Sequence, residues 1–306
     1  MFQQVPARLC LAIVLVTLFQ TIWVVHSHLD GFEPTRVRTY YIQAEEAEWD
    51  YAPTGMDMFM GMDLPADLKN TPGKTIGRKY LKGLYREYTG PDFKTRKYQP
   101  IHLGFLGPVI RAVVGERIKV VFKNTLHFPA SIHPHGVFYD KNSEGAGYID
   151  DTDGFVSKGS GDSVKPGETF TYQFDVPERA GPVAGGPSSI GWLYHSHALD
   201  EPPETQAGLI GFIVITRASK ANKHARPKDV DREFFVTPKI INEQASFFLE
   251  KNIQKYLNAT GQLPSNFNRA SLSATNQKHA INGYMLNNAP GFNMCKFLTI
   301  LFLKFS

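Results

Sequence analysis

The chain has 306 residues, of which 42% are hydrophobic and 12% aromatic, so it can fold into one full globular domain and part or all of a second. Its net charge of +4 is spread along the sequence, without a long basic run or a basic patch interleaved with aromatic residues. Nucleic-acid binding therefore has little support.

The first residues predict export from the cell. A mostly apolar stretch covers residues 9–25, and Ser27 follows it where a signal peptidase could cut. We predict a signal peptide over residues 1–27. The alternative is a signal anchor, because the stretch approaches the length of a membrane span, but its internal polar residues favour cleavage. The glycosylation acceptor at Asn258 agrees with a secreted protein.

Short strands dominate the next part of the sequence. Residues 36–42 are predicted as an opening strand, and residues 117–123 and 169–175 alternate apolar and polar side chains as half-buried strands do. Proline and glycine turn signals separate these segments. Many short strands with turns between them predict an all-β fold, a Greek-key β-sandwich over residues 28–218.

A second unit is predicted after a basic stretch. Residues 219–230 are interpreted as a solvated basic linker, and a new strand is expected from residue 231. Helical spacing then places four apolar side chains on one face: Leu249, Ile253, Tyr256 and Leu257. The apolar run at residues 297–303 is too short to cross a membrane. We expect 231–306 to be an incomplete second domain, in a truncated or alternatively spliced product.

Two His-x-His pairs are the strongest functional signal in the sequence. His133 and His135 form one pair, and His195 and His197 form the other about sixty residues later. In extended backbone, residues i and i+2 point to the same face, so each pair can offer two imidazoles to one small volume. Four imidazoles suit copper, zinc or iron better than magnesium or calcium. The unpaired histidines are interpreted as structural or solvated: His26, His28, His102, His127, His224 and His279.

Cysteine usage argues against a blue-copper centre in the first domain. Cys10 falls inside the predicted signal peptide, which leaves Cys295 as the single thiol of the mature chain and allows no intrachain disulfide. A blue-copper centre needs a cysteine thiolate together with two histidines. The residue between the histidines of the second pair is Ser196.

Methionine recurs at every second position in one short segment, as Met56, Met58, Met60 and Met62. Thioethers prefer Cu(I), so we hypothesise a patch at which Cu(I) is taken up. The alternative is a flexible loop that uses methionine as adaptable packing.

Several motifs together resemble the first domain of the ceruloplasmin and hephaestin family of multicopper ferroxidases. They are GFLGP at 104–108, IHPHGV at 132–137, SEGA at 143–146, YHSH at 194–197 and GLIG at 208–211. The similarity continues through DREF at 231–234 and INGY at 281–284 into the opening of the second domain of that family. It covers nearly the whole mature chain, in order.

The resemblance implies a cupredoxin-like domain that supplies half of a trinuclear copper cluster, where oxygen is reduced to water. His133 would bind the type 2 copper, and His135, His195 and His197 would bind the type 3 pair. In that family the other cluster histidines, and the blue coppers that collect electrons from ferrous iron, come from later domains. We therefore expect a role in iron and copper homeostasis and iron transport, no turnover by this chain alone, and a full-length form that could be membrane-anchored.

Two further features follow from the resemblance. A calcium site is implied in an acidic loop, with solvated turn residues as the alternative; the candidate ligands are Asp150, Asp151, Asp153 and Asp162. A disulfide of the first domain is also implied, but Ser189 lies near one expected position and Thr216 near the other. Without this disulfide the domain would be less rigid and would lose a few kcal/mol of stabilisation in principle, but the copper ligands would not be affected.

Two other functions are alternatives. The non-catalytic A domains of clotting cofactors V and VIII are similar at 143–145 and 208–211, but such relatives lose cluster histidines, whereas this chain keeps both pairs. A zinc hydrolase or lyase would use three histidines and a water molecule. It would need a nearby general base, and the nearest acidic candidates, Asp140, Glu144 and Asp150, are better explained by a solvated or calcium-binding loop.

Overall fold

The computed structural model describes residues 32–150, 154–156, 159–199, 201–257, 267–291 and 300–304. The predicted signal peptide at 1–27, the acceptor Asn258, Cys295 and the aspartates Asp151 and Asp153 lie outside the described residues. Within the described ranges, no helix is long and apolar enough to cross a membrane.

Strands make up most of the regular structure. In chain order they are β1 (Val37–Asp50), β2 (Met56–Asp57), β3 (Met62–Asp63), β4 (Lys79–Tyr88), β5 (Ile110–Val113), β6 (Arg117–Asn124), β7 (His133–Pro134), β8 (Tyr148–Asp150), β9 (Gly154–Val156), β10 (Thr169–Asp175), β11 (Ser189–His195), β12 (Ile210–Thr216), β13 (Arg232–Val236), β14 (Pro238–Asn242), β15 (Gln277–Ile281) and β16 (Ile300–Lys304). The helices are α1 (Glu201–Ala207) and α2 (Leu249–Asn252), and α2 continues as a π-helical turn, Ile253–Leu257. Short 3-10 turns occupy Ala66–Leu68, Ile101–Leu103, Lys141–Ser143, Glu178–Ala180, Ala218–Lys220, Glu243–Ala245 and Arg269–Leu272.

Two four-stranded sheets form the predicted sandwich. One sheet has the strand order β10-β6-β1-β4, and the other has the order β5-β12-β11-β7. β1 lies between a parallel neighbour, β6, and an antiparallel one, β4, while β12 lies parallel to β5 and antiparallel to β11. Neighbours that are distant along the chain are the mark of crossover topology. The all-β, cupredoxin-like β-sandwich expected from the sequence is confirmed.

Alternation along β6 explains how a strand contributes to the core. Ile118, Val120 and Phe122 are fully buried, whereas the residues between them are partly exposed. Successive side chains of a strand point to opposite faces, so β6 directs one apolar row into the sandwich. Tyr172 of β10 joins the same core, with its ring centroid 6.2 Å from that of Phe122. Burial of each such large apolar side chain stabilises the fold by roughly 1.5–3 kcal/mol.

The predicted strands at 117–123 and 169–175 are confirmed, but the opening strand is longer than predicted. β1 continues to Asp50, through a segment whose charged residues Glu45, Glu46 and Glu48 are not typical of a strand. Pairing with β4 holds this extension, because each of these residues has a cross-strand partner. Glu45 is also buried and accepts hydrogen bonds from Tyr88 and Arg96.

The second part of the chain packs against the sandwich. β13 pairs with β16, and β14 pairs with β15. The apolar face predicted around Ile253 and Leu257 is confirmed, since both side chains are buried in a cluster that also contains Phe212 of β12. The stretch 219–230 is largely exposed but folds back, since its buried Ala225 accepts a hydrogen bond from Thr216, and its assignment as a linker stays a prediction. The division into a complete and an incomplete domain stays a prediction.

A buried ion pair joins the two parts. Lys82 of β4 and Glu243, which follows β14, are both fully buried, with Nζ and Oε1 2.5 Å apart. Tyr51 donates a hydrogen bond to the same carboxylate, and Lys82 also donates to the carbonyl of Gln206 at 2.9 Å. Burial disfavours the charged amine and lowers the pKa of Lys82, and the carboxylate of Glu243 partly opposes this shift.

Candidate metal centre

The two histidine pairs meet at one end of the second sheet. β7 contains His133, and it pairs antiparallel with the end of β11, where His195 lies directly opposite His133. The N–H of His135 donates to the carbonyl of Leu193 at 2.9 Å, which extends the pairing. Strand pairing therefore brings together two motifs that are far apart in the sequence.

The four imidazoles form one cluster. Ring nitrogens of His133, His135 and His195 all lie within 4.8 Å of one another, and Nε2 of His135 is 3.0 Å from Nε2 of His195. The ring of His197 lies 5.7 Å from that of His133 and 5.9 Å from that of His195, measured between centroids. Over the described ranges, His133, His135 and His195 are the one group of three or more histidine, cysteine or acidic side chains close enough to share a metal ion.

Backbone carbonyls orient two of the rings. Nδ1 of His133 lies 2.7 Å from the carbonyl oxygen of Glu144, and Nδ1 of His195 lies 3.0 Å from that of Ser196. When Nδ1 donates its proton to a carbonyl, Nε2 is left with its lone pair, which is the form that binds a metal. The geometry thus favours Nε2 as the ligand atom of both rings.

The environment favours the neutral form of His133. His195 is only 5% exposed, His133 and His197 are half-buried, and His135 is exposed. Burial lowers the pKa of His133, and the neighbouring rings of His135 and His197 lower it further, while the carbonyl of Glu144 partly opposes them. Neutral imidazole is the metal-binding form, so burial favours ligation at neutral pH.

Two residues that sequence reasoning missed hold the loops of the cluster. Ser131 donates to the carbonyl of Gly145 at 2.6 Å and accepts the N–H of His197 at 2.9 Å. Glu204, fully buried on α1, accepts the hydroxyl of Ser196 and the backbone N–H groups of Ala198 and Leu199. The role of Ser131 depends on long-range folding, because His197 lies 66 residues further along the chain, whereas the bonds of Glu204 reach back only five to eight residues.

Two glycines of the motifs are required by the backbone. Gly136 has a φ of +75°, and a Cβ atom there would lie 2.1 Å from the ring of Trp192. Gly145 has a φ of +70°, and its Cβ would lie 2.3 Å from the carbonyl oxygen of Ile132. Positive φ is open to glycine at little steric cost, so these positions let the two loops approach the sheet closely.

The donor set fits copper better than zinc hydrolysis. Imidazole suits copper, and the cluster includes no thiolate, which agrees with the absence of a blue-copper ligand between His195 and His197. A hydrolase would need a free general base. Glu144 is instead paired with Lys141 at 2.9 Å and accepts a hydrogen bond from Tyr148, while Asp140 accepts the N–H of Ser143 at 2.9 Å. The zinc alternative is therefore not favoured.

The candidate calcium ligands are only partly described. Asp162 is buried, lies 2.8 Å from Nζ of Lys141 and accepts the N–H of Gly159 at 2.7 Å. Asp150 is the last residue of β8. The ammonium group of Lys141 beside Asp162 supplies positive charge where a cation was expected, and the calcium site stays a prediction.

The methionine segment forms a hairpin at the surface. β2 and β3 pair Met56 with Asp63 and Asp57 with Met62. The four methionines are between 42% and 63% exposed, and Phe59 at the tip is 77% exposed. Asp57 is buried and accepts the N–H groups of Phe59 and Met60, so the hairpin is closed by its own hydrogen bonds. Exposure of all four methionine residues does not favour the packing interpretation.

A two-sheet sandwich with two His-x-His pairs at one end defines a cupredoxin-type domain of the kind that multicopper oxidases use. Residues 85–220 match the family model for multicopper oxidases. The chain belongs to the multicopper oxidase family, whose cofactor is copper.

Three relatives show where in the family the chain lies. It is 41% identical over 270 residues to ferroxidase HEPHL1 of Homo sapiens, a match that covers 85% of this chain and 22% of the relative. Human ceruloplasmin is 38% identical over 291 residues, covering 92% of this chain and 27% of the relative. Human hephaestin is 35% identical over 266 residues, covering 84% and 22%. The chain thus spans about a quarter of the length of the curated relatives it matches.

Proposed function

We propose that this chain is the copper-binding first part of a secreted or membrane-anchored ferroxidase, which oxidises ferrous iron and reduces oxygen to water. The observation that carries the proposal is the convergence of His133, His135 and His195 within 4.8 Å, with His197 beside them, in a member of the multicopper oxidase family. The names of the relatives support the reaction, since one is called a ferroxidase.

In this proposal the four histidines supply half of a trinuclear copper cluster. His133 would bind the type 2 copper, and the other three histidines would bind the type 3 pair. The distance of 3.0 Å between Nε2 of His135 and Nε2 of His195 supports assigning both histidines to the same pair of metals. Copper bound there would accept electrons and pass them to oxygen.

The chain's own residues would hold the ligands in place. Carbonyl groups of Glu144 and Ser196 fix two ring orientations, and burial keeps the imidazole of His133 neutral. The remaining ligands and the electron-collecting coppers would come from other domains, because four imidazoles without a thiolate can anchor only part of such a cluster. The proposed partners are therefore later cupredoxin-like domains, ferrous iron and oxygen.

Metal content is the first test. The secreted chain and a variant with His133, His135, His195 and His197 all changed to Ala would be loaded with copper, dialysed and measured by atomic spectroscopy. A matched control replaces the exposed His224 and His279 with Ala. We expect the parent and the control to retain copper, without an intense blue thiolate band, and the fourfold variant to lose it. Retention by the fourfold variant would overturn the ligand assignment.

Ferrous-iron oxidation is the second test. We expect none by this chain alone, and we expect oxidation by a full-length protein to be lost in the same fourfold variant. Turnover by the isolated chain, lost with the four histidines, would mean that copies of the chain complete the cluster between them. Unchanged oxidation by the full-length variant would contradict the proposal.

The exposed hairpin supports a second, separate proposal, that Met56, Met58, Met60 and Met62 take up Cu(I). Soft thioethers bind Cu(I), and these four are presented to solvent on an ordered hairpin. Replacing all four with Leu is expected to remove one class of Cu(I) binding in competition with a chromogenic chelator. The control variant Phe59→Leu changes the same hairpin without removing sulfur. Equal Cu(I) affinity in both variants and the parent would remove the proposal.

A further inference from the structure

A cavity of about 200 Å³ lies between β4 and the second part of the chain, and it shares no lining residue with the histidine cluster. Its charged lining has an excess of cations. Four basic side chains line it, against two carboxylates: Arg86, Lys97, Arg111 and Arg226, with Glu87 and Glu233.

Three of the four cations already have a carboxylate. Lys97 lies 2.5 Å from Glu87. Arg111 makes two parallel hydrogen bonds to Glu233, at 2.7 and 2.8 Å, and Arg226 lies 3.6 Å from the same carboxylate. The two acidic groups of the cavity are therefore engaged by these three neighbours, and in the described part of the chain neither is hydrogen-bonded or ion-paired to the Arg86 side chain.

Arg86 is the cation without a carboxylate. It is half-buried, and within the described ranges its guanidinium makes one hydrogen bond, to the carbonyl of Tyr85 at 3.2 Å. A guanidinium carries five N–H donors in a rigid fork that matches a carboxylate or phosphate. Burying such a charge with most donors unused costs free energy that a bound anion would recover.

The same strand supplies an internal comparison. Lys82 and Arg86 are four residues apart on β4, and alternation places both on one face of the sheet. Lys82 has the buried carboxylate of Glu243 as its partner. The acidic group that acts on Arg86 is Glu45, which is bonded to Arg96 instead. Burial lowers the pKa of Arg86, yet arginine stays charged at neutral pH.

We propose that this cavity binds a small oxyanion, of the phosphate or dicarboxylate class, through the guanidinium of Arg86. Lys97 and Arg226 line the same cavity and add positive potential. One water occupies roughly 30 Å³ of liquid, so the cavity has room for a ligand the size of several waters. A small oxyanion fits this size.

Calorimetric titration of the copper-free chain tests the proposal, with inorganic phosphate and succinate as separate probes and chloride at matched ionic strength as the reference. Phosphate, succinate or both are expected to bind the parent, and Arg86→Gln is expected to weaken that binding by about tenfold or more, because charge-assisted hydrogen bonds contribute a factor of this order. The matched control Arg36→Gln changes an exposed arginine outside the cavity and is expected to bind like the parent.

Arg86→Lys keeps the charge but loses the fork of donors, so intermediate affinity is expected, and this variant replaces Arg86→Gln if the latter fails to fold. The probe that binds more tightly shows whether the cavity prefers the phosphate class or the dicarboxylate class. Binding of neither probe to the parent at concentrations up to about 10 mM, or equal binding by the parent and the Arg86 variants, would overturn the proposal.

Discussion

Ser189 and Thr216 lie directly opposite each other across the antiparallel strands β11 and β12, and both are buried. These are the positions near which the resemblance places a disulfide. The hydroxyl of Thr216 donates to the carbonyl of Ala225 at 2.8 Å. The hydroxyl of Ser189 has no hydrogen-bond partner in the described part of the chain. Two hydroxyl groups thus stand where a covalent link between neighbouring strands would fit.

The double variant Ser189→Cys, Thr216→Cys is expected to form a disulfide when it is secreted. Residues directly opposite in an antiparallel pair have Cα atoms about 4.5–5.5 Å apart, within the range of disulfides. Closing this loop should raise the free energy of unfolding by on the order of 3 kcal/mol, less about 1 kcal/mol for the lost threonine hydrogen bond. Thiol titration and thermal unfolding measure it, with Ser189→Ala, Thr216→Val as the control. Two free thiols in addition to that of Cys295 in the folded variant would contradict the expected geometry.

Removal of one partner of the ion pair between Lys82 and Glu243 is expected to be strongly destabilising. Glu243→Leu leaves the buried ammonium group without its carboxylate, which costs about 3–5 kcal/mol. The double variant Lys82→Met, Glu243→Leu removes both charges and should recover most of this loss. Urea unfolding gives the free energy of unfolding of the parent and of both variants, which are then compared. A double variant as unstable as the single one would show that packing, and not the unpaired charge, dominates.

Lys278 predicts a specific dependence of stability on pH. Burial lowers the pKa of this fully buried lysine to about 8, although Glu243 and Asp67 partly oppose the shift. An unfolded lysine titrates at about 10.4, so between pH 8 and that value the unfolded chain binds more protons than the folded chain. The cost of burying the charged Lys278 is therefore fully present below pH 8. As the pH rises from 8 to about 10.4, the contribution of this group to the free energy of unfolding increases, by up to about 1.4 kcal/mol per pH unit.

The measurement compares the parent with Lys278→Met and with a control at the exposed Lys74, changed to Met, by denaturant unfolding between pH 7.5 and 10. We expect the difference in stability between the parent and Lys278→Met to change in favour of the parent as the pH rises. Buried tyrosines act on all three proteins alike and cancel in this difference. If this difference in stability stays constant across the pH window, the folded protein does not bury a charged Lys278 at a cost in stability.

Glu204 is expected to position the second histidine pair. Its carboxylate accepts N–H groups of Ala198 and Leu199 and the hydroxyl of Ser196, so Glu204→Ala releases the segment that carries His195 and His197. Mutation of a residue that orients metal ligands typically lowers metal affinity by about 10–100-fold. We expect a loss of this size in competitive copper titration, with Glu250→Ala, at an exposed ion pair, as the control. Unchanged copper affinity in a folded Glu204→Ala variant would assign Glu204 to fold stability alone.

Features that depend on neighbours in the sequence were predictable. Alternation over 117–123 and 169–175 identifies β6 and β10, because a strand with one buried face has period two whatever its partners are. The spacing of His133 and His135, and of His195 and His197, already indicates a metal site, since two imidazoles two residues apart share a face. Helical spacing likewise predicts the buried face of Ile253 and Leu257.

Features that depend on distant partners were decided by the tertiary structure. The pairing of β7 with β11 sets His195 opposite His133, and no local pattern encodes which strands become neighbours. The hydrogen bond between Ser131 and His197 crosses the same contact, so the residue type of Ser131 carries no signal in advance. Lys82 and Arg86 look alike on one strand, yet folding gives only Lys82 a buried carboxylate. The sequence by itself thus determined the ligand types and the strand periodicity, whereas folding decided which groups meet, because hydrogen bonds and charge pairs form between surfaces that only long-range packing brings together.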